Sequence, residues 1–284
     1  MGGIPLIERL IEAINRFFPK EDWFRALNQE PRDALRYAMK GGEVVLTQFH
    51  GYNDLRDKVV LDYGCGAGAK TCYYATLGPK EAIGVDIHSR RDEVDAMLSR
   101  QAELPVRFLS LEASGRIPLD ADSVDVAISS AVFEHVQYPE AALREIFRVL
   151  KPGGIFLMRW HPFLTRYGGH LGGVIGIPYA HVLFPEKALV RTFFRGAMAM
   201  SGGKFSGLLL YENLSTDSIR FKDMGLYFNR LRVVEMRRLA ASAGFSLVAE
   251  RFFRGIRETR FARYLPIGMV DYFIDYDVCL FRKP

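Results

Sequence analysis

The sequence predicts a doubly wound α/β fold carrying a seven-stranded, mostly parallel sheet, and three observations predict it. Strand-like and helix-like stretches alternate from Val59 onward at the spacing that βαβ units need. A glycine-rich turn, Gly64-Cys-Gly-Ala-Gly68, follows the first of those strands directly. The 284 residues are 49% hydrophobic and 25% charged, an ordinary globular balance with enough apolar material for a sizeable core.

The elements follow in order. From Ile4 to Phe18 apolar residues recur at 4, 7, 11, 14 and 18, a helical period that Pro19 ends. A second helix is expected from Pro31 to Lys40, stopped by Gly41-Gly42. Val59 to Tyr63 reads as the first strand and Ala82 to Asp86 as the second, with a helical stretch between them. Ser89 to Ala102 reads as a helix, Val106 to Leu111 as strand three and Val124 to Ser130 as strand four. Pro139 to Leu150 is a helix with proline in its first turn, Lys151-Pro-Gly-Gly a turn, and Ile155 to Trp160 strand five. From His161 to Asn229 the rhythm breaks into Gly-rich, aromatic-rich sequence with short helical patches. An irregular stretch of that length is read as a lid over a binding site. Arg232 to Ala243 resumes as a helix, with strands at Phe245 to Phe253 and Val270 to Phe281. Four units are therefore expected: an N-terminal helical segment at 1–56, a binding core at 57–160, the lid at 161–229 and the completion of the sheet at 230–284.

Composition excludes several classes. Three cysteines (Cys65, Cys72 and Cys279) form no C-x-x-C pair and point to a reducing, cytoplasmic setting rather than a disulfide scaffold. No apolar run reaches 18 residues, so no membrane span is expected, and Glu8, Arg9 and Glu12 interrupt any secretory signal. Histidines at 161, 170 and 181 lack metal-ligand spacing, so no metal is expected. The net charge is +5, and Arg220 to Arg263 carries eleven basic residues against four acids. That surplus reads either as solvated faces or, together with the apolar face of Ile4 to Phe18, as a peripheral membrane contact.

The glycine turn carries the functional signal. Closely spaced glycines let backbone approach a ligand that any Cβ would exclude, and Gly64-x-Gly66-x-x-Ala69 by itself also satisfies a dinucleotide fingerprint. Asp62 separates the readings, because a carboxylate two residues before the turn repels a pyrophosphate and attracts an ammonium group. Asp86 ends the next strand, where an acid takes both hydroxyls of a ribose. Ammonium, ribose and no phosphate describe S-adenosylmethionine better than NAD.

At Val60 to Gly68, Gly84 to Asp86, Ile117 to Asp125, Ser130 to Val136 and Arg148 to Gly154 the chain resembles the Rossmann-like class I S-adenosylmethionine-dependent methyltransferases, above all the "type 11" group of quinone, sterol and small-molecule enzymes. The resemblance covers about Asp57 to Trp160, with a weaker match at Leu239 to Phe245. It implies a cofactor site made by Asp62, Gly64, Cys65 and Gly66 for the methionine part, Asp86 with Ile87 for the ribose and adenine edge, and Ser130 at the end of strand four. The family's Gly-Asp-Ala/Val step after strand three is replaced by Leu111-Glu-Ala-Ser-Gly115, so Glu112 with Ala113 is expected to read the adenine. The product would be S-adenosylhomocysteine and the acceptor a small or lipid-like molecule methylated on oxygen or carbon. His135, His161 and His170 are the candidate bases, since they follow strands four and five or lie in the lid. The Asn/Asp-Pro-Pro-Tyr/Phe motif of nucleic-acid amino-methyltransferases is replaced by Ser129-Ser-Ala-Val132, which disfavours a nucleic-acid substrate. The alternative is a partner or regulatory subunit of the same fold that binds the cofactor without turning it over.

Overall fold

The structure, a computed structural model, describes residues 4–21, 31–49, 51–87, 104–166, 168, 171–201, 229–254 and 257–284. Of the expected elements, the helix at 89–102 lies outside the described residues, as do Tyr167, His170 and residues 202–228 of the lid.

The sheet has the order β3-β2-β1-β4-β5-β8-β6-β7. Its parallel half is β1 (Val59–Tyr63), β2 (Glu81–Asp86), β3 (Val106–Ser110), β4 (Val124–Ser130) and β5 (Leu150–Trp160). The antiparallel half is β6 (Ser246–Arg254), β7 (Arg257–Glu258) and β8 (Tyr276–Arg282), with β8 inserted between β5 and β6. Among the described residues the sheet thus has eight strands rather than seven. The extra one is a two-residue return of the β6 hairpin that pairs only Phe253 with Glu258 and Arg254 with Arg257. β1, β2 and β4 are largely apolar along their length because both of their faces are covered.

One face packs on α4 (Pro139–Val149), through Leu143, Ile146 and Val149, and on α7 (Val233–Ser242), through Val233, Met236 and Ala240. The other face meets α2 (Pro31–Thr47), through Val45 and Leu46, and α3 (Ala69–Ala75), through Tyr74. A second, separate core lies outside the sheet. There α1 (Leu6–Asn15) places Ile11 against Val174, Ile175, Leu189 and Phe193 of the cap formed by α5 (Ala180–Leu183), α6 (Glu186–Met200) and the residues before them. Glu8, buried beneath α6, meets Arg191 at 3.4 Å and Arg195, while Glu12 meets Arg195 at 2.8 Å. The Asn15 amide donates to the Val174 carbonyl and accepts from the Gly176 N–H, so α1 is held to the cap by polar as well as apolar contacts. The N-terminal segment therefore divides: α1 belongs to the cap and α2 to the sheet.

Three local readings are corrected. α2 does not stop at Gly41-Gly42 but runs on to Thr47. A Cβ on Gly42 would stand 2.9 Å from the Tyr73 ring, so this glycine serves close helix packing rather than termination. Lys151 to Gly154 is no free turn. β5 already pairs at Leu150 with Val124, and a register shift between Val124 and Val126 absorbs the Pro-Gly-Gly step. Val270 to Phe273 is 3-10 helix (Ile267–Phe273) rather than strand. The Asp271 carboxylate there accepts the Val233 N–H, one of the orphan donors at the start of α7, which holds this stretch away from the sheet.

Candidate cofactor site at the carboxyl edge of the sheet

In an open α/β sheet, ligands sit beyond the carboxyl ends of the strands where the order reverses, here between β1 and β4. The glycine turn lies at that point. Gly64 and Cys65 N–H groups donate to the Val85 carbonyl at 2.8 and 3.2 Å, and the Gly66 N–H donates to the Asp86 carboxylate at 2.8 Å. Gly64 has φ +77°, and a Cβ there would lie 2.4 Å from both methyls of Val132, so only glycine lets the turn fold against the segment that follows β4. Gly66 is exposed, and a Cβ on it would meet nothing within 4 Å. The turn thus presents bare backbone to open space.

Below it stands a buried polar cluster. The Thr71 hydroxyl donates to Asp62 Oδ2 at 2.7 Å, while Asp62 Oδ1 is buried with no hydrogen-bond partner. Burial raises the Asp62 pKa, and the nearby Lys70 ammonium opposes that rise. Lys70 Nζ donates to the Ser130 carbonyl at 2.9 Å. Next to it Glu134 is buried in the 3-10 turn Phe133–His135, and burial lifts its carboxyl to about 7 against the opposing charges of Arg159 and Lys70 and the backbone amides of Glu134 and His161. The Arg159 guanidinium lies 4.1 Å from the centre of the Tyr276 ring, with its Nε buried and without a hydrogen bond. A buried polar atom without a partner costs about 1–3 kcal/mol. Asp62 Oδ1 and Arg159 Nε are therefore groups prepared for a polar ligand or water. A zwitterion with a ribose and no phosphate fits this set: an acid is buried beneath the turn, Lys70 stands beside it, Arg159 lies farther along the edge by Glu134, and a second acid ends β2.

Of the residues expected in the site, Asp62, Gly64, Cys65, Gly66, Asp86 and Ser130 come together around the turn. Cys65 is buried, and burial pushes its thiol up, so it lines the wall and is no nucleophile. Ile87 is exposed just past β2. Glu112 and Ala113 form the exposed turn after β3, where the Gly115 N–H closes on the Glu112 carbonyl at 2.8 Å and the Glu112 carboxylate meets Arg116 at 3.5 Å.

Of the three histidines, His170 lies outside the described residues and His135 is half-buried at the end of the 3-10 turn that follows β4. His161 follows β5 with Nδ1 2.9 Å from the Asp275 carbonyl, and burial depresses its pKa to about 3, so it is neutral. The sequence reading overlooked Lys70, Thr71 and Arg159. Lys70 and Thr71 open the helix after the glycine turn, and a cation in a first helical turn, where the dipole disfavours it, was the available signal. Arg159 becomes legible only once β5 and β8 are paired. Among the described residues one group could ligate a cation, Glu250, Asp277 and Cys279. Arg237 pairs with Glu250 and supplies positive charge to that cluster.

Residues 61–158 match the family model of the methyltransferase domain. An uncharacterized methyltransferase of Mycobacteroides abscessus is 36% identical over 121 residues, 42% of this chain and 46% of the relative. One of Mycobacterium tuberculosis is 34% identical over 136 residues, 47% and 49% of the two chains. The chain thus spans about half the length of the curated relatives it matches. An S-adenosylmethionine-dependent methyltransferase of Mesorhizobium loti shares the fold with a TM-score of 0.50 at 14% identity, over 84% of this chain and 95% of that one. A phosphoethanolamine N-methyltransferase of Haemonchus contortus, whose structure holds S-adenosylhomocysteine, does so with a TM-score of 0.51 at 14% identity, over 86% and 53%.

Proposed function

We propose that this chain, built round a class I methyltransferase domain at residues 61–158, moves a methyl group from S-adenosylmethionine to an oxygen or carbon of a small or lipid-like acceptor. The observation that carries the reading is the buried, half-satisfied Asp62 carboxylate beneath a turn whose Gly64 excludes any Cβ. Asp62 and the Ser130 carbonyl suit the ammonium of the methionine end, Lys70 its carboxylate, and Asp86 the ribose. Ile87 and the Glu112–Ala113 turn flank the place for adenine. When bound, the cofactor supplies a sulfonium-activated methyl carbon, held by those residues toward the acceptor. This chain's contribution is chiefly orientation and exclusion of water.

A hydroxyl acceptor also loses a proton, and His135, after β4, is the candidate to take it, because burial leaves His161, after β5, with a pKa of about 3 and too weak a base. Glu134 is a positioning residue for His135, with which it shares a turn, and its carboxyl also accepts the His161 amide. Phe163, Tyr179 and Phe184, half-buried where the cap leaves β5, suit an apolar acceptor. Cys65, Cys72 and Cys279 are all free and buried, which suits a cytoplasmic setting. Calorimetry tests the reading. S-adenosylhomocysteine should bind where NAD and NADP do not, and Asp86→Ala should weaken it by about 1.5–3 kcal/mol through two lost charge-assisted bonds. Unchanged affinity in that variant would overturn the cofactor assignment.

A further inference from the structure

We propose that α1 docks this protein on an anionic lipid surface. The helix has two apolar faces, and the cap uses only one. Ile11 is fully buried in the cap core, with Ile14 and Phe18 packed beside it. Leu6, Leu10 and Phe17 point the other way and are 85%, 50% and 86% exposed, with Ala13 exposed between them. Positions 6, 10, 13 and 17 fall on one stripe at helical spacing, and the turn after Asn15 carries it on, since the Phe17 N–H donates to the Ile14 carbonyl. A lone exposed leucine would be ordinary surface; a continuous stripe on a helix already anchored from behind is not.

Charge chooses the occupant. Arg9 and Arg16 are exposed along one flank of the stripe and Lys20 follows them, whereas the helix's two acids are turned away into ion pairs, Glu8 with Arg191 and Arg195, Glu12 with Arg195. The outward surface is therefore apolar with a basic rim, the pattern of a helix lying in a membrane interface with its cations among anionic headgroups. A second surface of the same character stands where β6 ends, at the edge of the sheet that holds the glycine turn. Arg254, Arg257, Arg260 and Arg263 are exposed there beside Phe261, at 53%, and Tyr264, at 74%. The cap joins the two surfaces, since Asn15 holds residues 174 and 176 and the Tyr179 hydroxyl donates to the Tyr272 carbonyl. For its purpose, delivery of an apolar acceptor, the docking rests on the proposed function; the binding itself does not.

The test is co-sedimentation of the full chain, without cofactor, with phosphatidylcholine vesicles that contain or lack phosphatidylserine, at low and high salt. Binding should require phosphatidylserine and weaken with salt. The Leu10→Ser/Phe17→Ser variant should bind at least about tenfold more weakly, because two apolar side chains no longer enter the interface. The Arg9→Gln/Arg16→Gln variant alters only exposed groups and should bind more weakly at low salt, with a reduced salt dependence, which keeps the test decisive if the first variant folds poorly. No sedimentation at low salt, or wild-type binding by both variants, would overturn the proposal. So would light scattering that shows a dimer abolished by Leu10→Ser/Phe17→Ser, which would make the stripe an interface between copies. Calorimetry with S-adenosylhomocysteine on the same preparation separates failure of docking from failure of the cofactor assignment.

Discussion

Replacing Glu134 by glutamine should change how the stability of this protein depends on pH. The carboxyl is fully enclosed beside Arg159 and Lys70, and burial lifts it from 4.5 to about 7. In the unfolded chain it returns to an ordinary value, so the native state binds the proton more tightly. The stability this contributes is fully present below about pH 4.5 and is lost as pH rises through about 7. At about 1.4 kcal/mol for each pH unit across that interval, ionising Glu134 costs the folded state about 3 kcal/mol. Glutamine keeps an oxygen that can accept the two backbone amides and carries no such cost. Urea unfolding of both proteins at several pH values measures the difference, and groups common to both, such as His161, cancel. The variant should gain about 3 kcal/mol relative to wild type between about pH 4.5 and about pH 8. A difference that stays flat within about 1 kcal/mol would mean that Glu134 is not held in a dry site, and the electrostatic account of the cluster would fail.

Two further outcomes follow from packing. Gly64→Ala puts a Cβ 2.4 Å from the Val132 methyls at φ +77°. It should cost about 2–4 kcal/mol of stability and displace the turn, so that calorimetry finds S-adenosylhomocysteine at least about tenfold weaker; wild-type affinity would show that the cradle is not the cofactor site. Ile11→Ala empties a fully buried position between α1 and the cap. It should cost about 2–5 kcal/mol in urea unfolding, and a loss under about 1 kcal/mol would mean that α1 does not dock on the cap.

The parallel half of the fold was legible because its signals are local. Val59–Tyr63, Glu81–Asp86 and Val124–Ser130 are short apolar runs cut by polar or glycine residues, and the strands observed there differ from the reading by no more than one residue. The glycine turn and its two acids were legible for the same reason: a positive φ at Gly64 and an acid at the end of β2 are properties of a few adjacent residues. What failed depended on neighbours distant in the chain. Gly41-Gly42 looked like a stop because a glycine's own preference is against helix, while the closeness of Tyr73 decided otherwise. The stretch at 270–273 looked like strand, but the Asp271 carboxylate is bonded to the start of α7, 38 residues away.

The sequence by itself determined the alternation of elements, the place of the glycine turn and the pairing of Asp62 with Asp86 around it, because steric and charge rules act over a few residues. Only the tertiary structure decided that Lys70, Glu134 and Arg159, contributed by three different elements, share one buried cluster, and that Glu134 titrates near neutrality there. It also decided which face of α1 is buried. Ile11 and Leu10 are adjacent and equally apolar; the period 4-7-11-14-18 favours Ile11, but 6, 10, 13 and 17 form a second apolar stripe, and the cap settles which one is covered. Ile11 lies in the cap core and Leu10 does not because Glu8, one turn earlier, is drawn inward by Arg191 and Arg195 of α6. Burial is a property of the partner surface as much as of the residue, and a partner some 180 residues away leaves no mark on the helix's own sequence.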